Sequence, residues 1–143
     1  WDLQGQDGGS GGNAYGGSIY SSLGNIVNIS STEFRENRAS GGKGGQPSST
    51  GFPNGSPGVN GKAYGGAIGC DYLMLTNVEF RDNLAGGLDS ATLQSAGGAI
   101  GAGSVLQISG SSFLNNQAVA SSEAYGGAVL SASSTSIQNV TFS

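Results

Sequence analysis

Two short strings alternate along this chain at a nearly constant phase, and that alternation limits its possible folds more than any other feature. A Gly-Gly-small-aliphatic string occurs at Gly16-Gly17-Ser18-Ile19, Gly65-Gly66-Ala67-Ile68, Gly97-Gly98-Ala99-Ile100 and Gly126-Gly127-Ala128-Val129. Each is followed, 15 to 18 residues after its first glycine, by Phe34, Phe80, Phe113 or Phe142. The first three phenylalanines open a second string: Phe34-Arg35-Glu36-Asn37, Phe80-Arg81-Asp82-Asn83 and Phe113-Leu114-Asn115-Asn116. Ala39, Ala85 and Ala118 stand two residues beyond these asparagines. The chain has 28 glycines and 23 serines and is only 10% charged, against about 25% in ordinary soluble domains. A disordered Gly/Ser linker would have that composition, but a linker needs no register. Fixed phase points instead to units that fold alike and bury their apolar faces on one another.

Between the two strings lies a strand. Five residues before each phenylalanine stand Ile29, Leu75, Ile108 and Ile137; seven before stand Val27, Leu73, Leu106 and Thr135. This is the two-residue alternation of a strand with one buried face. No window carries a 3.6-residue apolar stripe, and the density of Gly and Ser argues against helix. The predicted fold is therefore all-β: a parallel, right-handed β-helix or β-solenoid of about four coils. Its core would be columns of equivalent residues: Phe34, Phe80, Phe113 and Phe142 in one, Ile29, Leu75, Ile108 and Ile137 in another. Asn37, Asn83 and Asn116 would form a third, at corners of left-handed conformation, with amides bonded to the next coil. The paired glycines suit a sharp corner or a close backbone approach.

The glycine strings are 49, 32 and 29 residues apart. The excess in the first interval is the segment 41–62, with Pro47, Pro53, Pro57 and eight glycines. It is expected to be a loop protruding from the repeats of 13–143, and 1–12 an irregular Gly-rich lead-in. The chain opens at Trp1 and stops at Ser143 in mid-pattern, which suggests a piece of a longer repeat protein.

The pairing of Gly-Gly-Ala-(Ile/Leu/Val) with Phe-x-x-Asn resembles the repeat signature of chlamydial polymorphic outer membrane proteins. Ser18 replaces the alanine in the first unit. The resemblance covers most of the chain apart from the lead-in and the insertion. It implies a β-helical region displayed outside the cell, at the cell surface, with an adhesive or structural role.

Several function classes meet obstacles in the residues. The net charge is −4 and the five Lys and Arg are scattered, so no basic patch invites nucleic acid. No apolar run approaches the roughly 18 residues of a membrane span, so the chain is not expected to be membrane-embedded. There is no His, and Cys70 has no basic partner in sequence to activate it, so it is read as a small inward-facing residue. The acids are Asp2, Asp7, Glu33, Glu36, Asp71, Glu79, Asp82, Asp89 and Glu123. Glu36 and Asp82 share a register, as a polysaccharide-cleaving β-helix would require of a carboxylate pair, and Asp71 is the third candidate. The plainer reading is of solvated turn residues whose charge Arg35 and Arg81 balance. Asp7 in its glycine-rich setting is too isolated for calcium, which wants six to eight oxygens. No catalytic, cofactor or metal residue is thus assigned. Tyr15, Tyr64 and Tyr125 precede three of the four glycine pairs, Ala96 the other; this row either caps a corner or stacks on a glycan. Asn28 and Asn139 head sequons, of which this composition yields about two by chance. The expected function is a non-catalytic extracellular structural or adhesive protein, with the subunit of a surface fibre as one form of it. It would associate with itself or continue end to end, with a host-surface or glycan ligand as a further partner. The alternatives are a pectin-lyase-like enzyme and a glycan-binding module.

Overall fold

The computed structural model describes residues 6–48, 55–86 and 92–143. These residues are all-β, and no helix occurs among them. The first unit contributes β1 (Ala14–Tyr15), β2 (Ile19–Ser30), β3 (Glu33–Arg35) and β4 (Arg38–Ala39). The second contributes β5 (Ala63–Tyr64), β6 (Ile68–Thr76), β7 (Glu79–Arg81) and β8 (Leu84–Gly86). The third contributes β9 (Gln94–Ala96), β10 (Ile100–Ser109), β11 (Ser112–Leu114) and β12 (Gln117–Val119). In the fourth, β13 (Glu123–Tyr125) is followed by β14 (Val129–Ser131), β15 (Ser134–Gln138) and β16 (Thr141–Phe142).

These strands form four separate sheets, each taking its members from successive units. The orders are β1-β5-β9-β13, β14-β10-β6-β2 with β15 also on β10, β16-β11-β7-β3, and β12-β8-β4. The pairings are parallel. Register follows the sequence phase: Phe34 pairs with Phe80, Phe80 with Phe113 and Phe113 with Phe142. Ile29, Leu75, Ile108 and Ile137 form a second row. The phenylalanine rings stack at centroid distances of 5.1, 4.8 and 4.9 Å. That spacing is about the 4.8 Å separation of paired strands, so the rings repeat with the backbone.

Alternation along the long strands decides what is inside. Leu73 and Leu75 of β6, and Leu106 and Ile108 of β10, are buried, while Met74 and Gln107 between them are exposed. With Ile68, Ile100, Phe80, Phe113 and Val78 they make one apolar core, flanked by Ile19, Val27, Ile29 and Val129. Full burial of each such side chain contributes roughly 1.5–3 kcal/mol. A smaller cluster joins Ala39, Ala63 and Ala85 with Ala14.

The corners depart from expectation by one residue. Left-handed backbone occurs at Glu36, Asp82 and Asn115 (φ 55°, 55° and 53°), just before the asparagine column. A second left-handed row comprises Ser31, Asn77, Gly110 and Asn139, three residues before each phenylalanine. The asparagines instead link units through their side chains. Asn37 Nδ2 donates to Asn83 Oδ1 at 2.9 Å, and Asn83 Nδ2 to Asn116 Oδ1 at 2.8 Å. The same amides also donate to the preceding unit, Asn83 to the Phe34 carbonyl and Asn116 to that of Phe80.

The described parts of the lead-in and the insertion are not irregular. Gly8, Gly11 and Ala14 donate to the carbonyls of Ser56, Val59 and Lys62. Gly42, Gly45 and Ser48 donate to Gly12, Gly9 and Gln6, and Gly58 and Gly61 donate to Gly45 and Gly42. Thus 6–14 and 55–62 run parallel, with 41–48 antiparallel to both. Bonds recur every third residue, the period of polyproline II rather than of a strand. Glycine follows the same period: a Cβ on Gly44 would lie 2.0 Å from the Gly58 carbonyl oxygen, and one on Gly11 2.0 Å from that of Gly42. Pro47 and Pro57 fall where the ladder uses no N–H, so their missing donors cost nothing. Residues 6–14, 41–48 and 55–62 therefore make one glycine-packed arm. Residues 1–5 and 49–54, including Pro53, lie outside the described residues.

Candidate functional site

The glycine strings build the most concave surface of aromatic character. Each first glycine, such as Gly16 (φ 61°) and Gly65 (φ 64°), turns the chain so sharply that a Cβ would strike the carbonyl three residues on. The turn also brings the Tyr15–Gly16 backbone over Gly69, and that of Tyr64–Gly65 over Gly101. Tyr20, Gly69, Gly101 and Leu130 occupy one ladder row. Bulk at both ends of this row and glycine in the middle leave a groove of about 240 Å³, bounded also by Tyr15, Tyr64, Cys70 and Asp71.

The tyrosines along it are ordered by one another. Tyr15 stacks on Tyr64 at 5.2 Å and 11°, and lies against Tyr20 at 5.3 Å and 32°. Tyr125 does not extend the stack: Ala96 intervenes in its row, and the phenol pairs with Glu123, whose hydrogen bond raises its pKa. Asp71 accepts a hydrogen bond from the Gly24 N–H at 3.4 Å, and its carboxylate lies 2.8 Å from where a Gly103 Cβ would be. Cys70 is buried, and burial, followed by the charge of Asp71, pushes its thiol up to about 11. The thiol is therefore protonated and unreactive near neutrality.

Other sequence candidates are dispersed. Glu36 and Asp82 share a row of exposed left-handed turns, whereas Asp71 belongs to β6 in a different sheet. Arg35 pairs with Glu36 at 3.0 Å. Arg81 binds Glu79 at 2.5 Å, because side chains two apart on a strand share a face, while the charge of Asp82 acts on it more weakly. Asp7 accepts from the Ser56 N–H at 2.6 Å and so holds the arm together. Among the described residues no three His, Cys, Asp or Glu side chains gather as metal ligands. Asp2 and Asp89 lie outside the described residues. Asn28 and Asn139 are both exposed.

The sequence pointed to the tyrosines before three of the glycine pairs but not to Tyr20, four residues after the first glycine. Its signal was a ladder position occupied by Tyr, Gly, Gly and Leu, a size contrast at constant phase. Compared with family models, curated proteins and solved structures, the chain matches none. No helix among the described residues is long and apolar enough to cross a membrane.

Proposed function

We propose that the chain is a stretch of right-handed parallel β-solenoid of about four coils. In this reading it is a non-catalytic structural or adhesive element displayed outside the cell, whose stack associates with itself or continues end to end. Support for the solenoid comes from the recurrence, unit by unit, of the same strands in the same order, each paired in parallel with its counterpart. The preference for right-handed parallel crossovers supplies the hand. The extracellular setting rests on the resemblance of the repeats. A structural role is favoured by acids that stand in separate rows instead of converging.

One observation carries the end-to-end reading. Phe80 is 0% exposed, yet its ladder counterpart Phe142 is 50% exposed, and Ile137 is 45% exposed where Ile108 is 2%. Together with Ala128, Val129, Leu130 and Thr135 they line an open concavity on the β13–β16 side. At the opposite side β1–β4 leave Ile19, Val27 and Ile29 only partly buried. Apolar end faces of this kind are covered by a further coil, supplied either by more of the same chain or by a second copy in a head-to-tail contact. Analytical ultracentrifugation should show association that deepens with concentration and is lost in Phe142→Asp. Oriented material should diffract along its axis near about 4.8 Å. A folded monomer at every concentration, with no axial reflection, would overturn the proposal.

A further inference from the structure

The tyrosine-walled groove has a charge and a hydrogen-bonding character that select one class of ligand. Asp71 is the single ionisable carboxylate among its lining residues, and neither Lys nor Arg contributes to it. Three tyrosines line it, with Tyr20 57% exposed and Tyr15 42% exposed, and Leu130, Ala102 and Ala132 complete its apolar surface. Aromatic faces carry negative potential, which adds to that of the carboxylate. No cationic side chain lines the groove to hold an anion. The floor is glycine, so the groove offers few directional partners: Ser21, Ser22 and Asp71 are its polar side chains outside the phenols.

We propose that this groove binds a quaternary ammonium group, of the kind carried by choline. A primary ammonium brings three N–H donors that need acceptors, and a sugar brings many hydroxyls; the glycine floor leaves such groups unpaired. A quaternary ammonium has no donors. Its methyl groups lie against apolar surface, and its spread charge is attracted by ring faces and by a carboxylate at short range. The site is also formed in advance. Tyr15 is packed against the rings of Tyr20 and Tyr64, and Asp71 is held by the Gly24 N–H. Gly69 and Gly101 admit no side chain, since a Cβ on either would come to 2.9 or 3.0 Å from the backbone nitrogen of Gly16 or Gly65. Glycine is thus what lets the Tyr15–Gly16 and Tyr64–Gly65 backbones close over this row and set their rings at the groove. The raised pKa of the Cys70 thiol, due first to burial and then to Asp71, fits a groove of negative potential.

The test is a titration of the intact chain with choline chloride and with tetramethylammonium chloride, read as amide shifts at Gly69, Gly101 and Gly103. Saturable shifts confined to those glycines are expected with both, and none with sodium chloride at equal ionic strength. Asp71→Asn and Tyr20→Ala should each weaken binding about tenfold. Absent shifts in the wild-type chain, or shifts that sodium chloride reproduces, would refute the site without recourse to any variant. Equally tight binding of n-butylammonium would refute the preference for a donor-free cation. Binding of cellobiose that survives Asp71→Asn would make the groove a saccharide site and overturn the proposal.

Discussion

Asn83 ties three successive units together through one side chain. It is 1% exposed, and its Oδ1 accepts from both the N–H and the Nδ2 of Asn37. Its Nδ2 donates to the Phe34 carbonyl and to Asn116 Oδ1. Asn83→Ala removes these bonds and leaves buried groups unpaired. The expected loss is about 2–4 kcal/mol in a urea unfolding titration, with Asn37→Ala costing less because Asn37 is nearer solvent. Ser95 presents the opposite case. It is fully buried in a row otherwise made of Ala14, Ala63 and Ala124, and among the described residues its hydroxyl has no partner. Ser95→Ala should therefore raise stability by about 1 kcal/mol in the same assay. Cys70 links stability to pH. Its folded pKa lies above its ordinary value of 9.0, so the folded state holds the proton more tightly. That contribution is intact below pH 9 and is lost as pH rises through about 11. A Cys70→Ala variant should lose less stability across that interval than the parent chain, measured by denaturation at each pH. At this scale the asparagine row was legible because its phase is strict. The partner of Arg81 was not, since Glu79 and Asp82 are both within reach and strand direction decides between them.

The arm is the element that sequence reading misjudged most. Its three segments contain Gly8 and Gly11, Gly41 and Gly44, and Gly55, Gly58 and Gly61, each at a spacing of three. Searches for periods of 2 and 3.6 pass over such a pattern, and glycine-rich stretches with proline read as loops. The difference between inner and outer glycines gives a direct test. Gly44→Ala puts a methyl group against the Gly58 carbonyl and should open the arm, so that amide exchange at Gly8, Gly11, Gly42, Gly45, Gly58 and Gly61 accelerates together. Gly9→Ala meets nothing within 4 Å and should leave exchange unchanged, with stability altered by less than about 1 kcal/mol. Equal effects from the two substitutions would show that the segments are not packed as a unit. The long strands behave differently. Their two-residue alternation announces both the element and its buried face.

Across the whole molecule, stability should grade from the middle units outward. Phe80→Ala removes a ring stacked on both faces and should cost about 3–5 kcal/mol, whereas Phe142→Ala, half exposed and stacked on one face, should cost well under half of that. Native-state amide exchange should accordingly protect β6 and β10 most and β13 to β16 least. Identical penalties at Phe80 and Phe142 would contradict the graded stack. The sequence by itself determined the parallel register, because residues that recur at one phase can bury their apolar faces only on their own counterparts in neighbouring units. It also determined which side of each long strand faces inward, since a slip of one residue would expose every Leu and Ile of the row. The assembly of the arm, the meeting of Tyr15, Tyr20 and Tyr64 beside Asp71, and the exact left-handed corners were decided only in three dimensions. These depend on contacts between segments tens of residues apart, or on the direction a sharp glycine turn imposes, and neither is written in the period of a single stretch of chain.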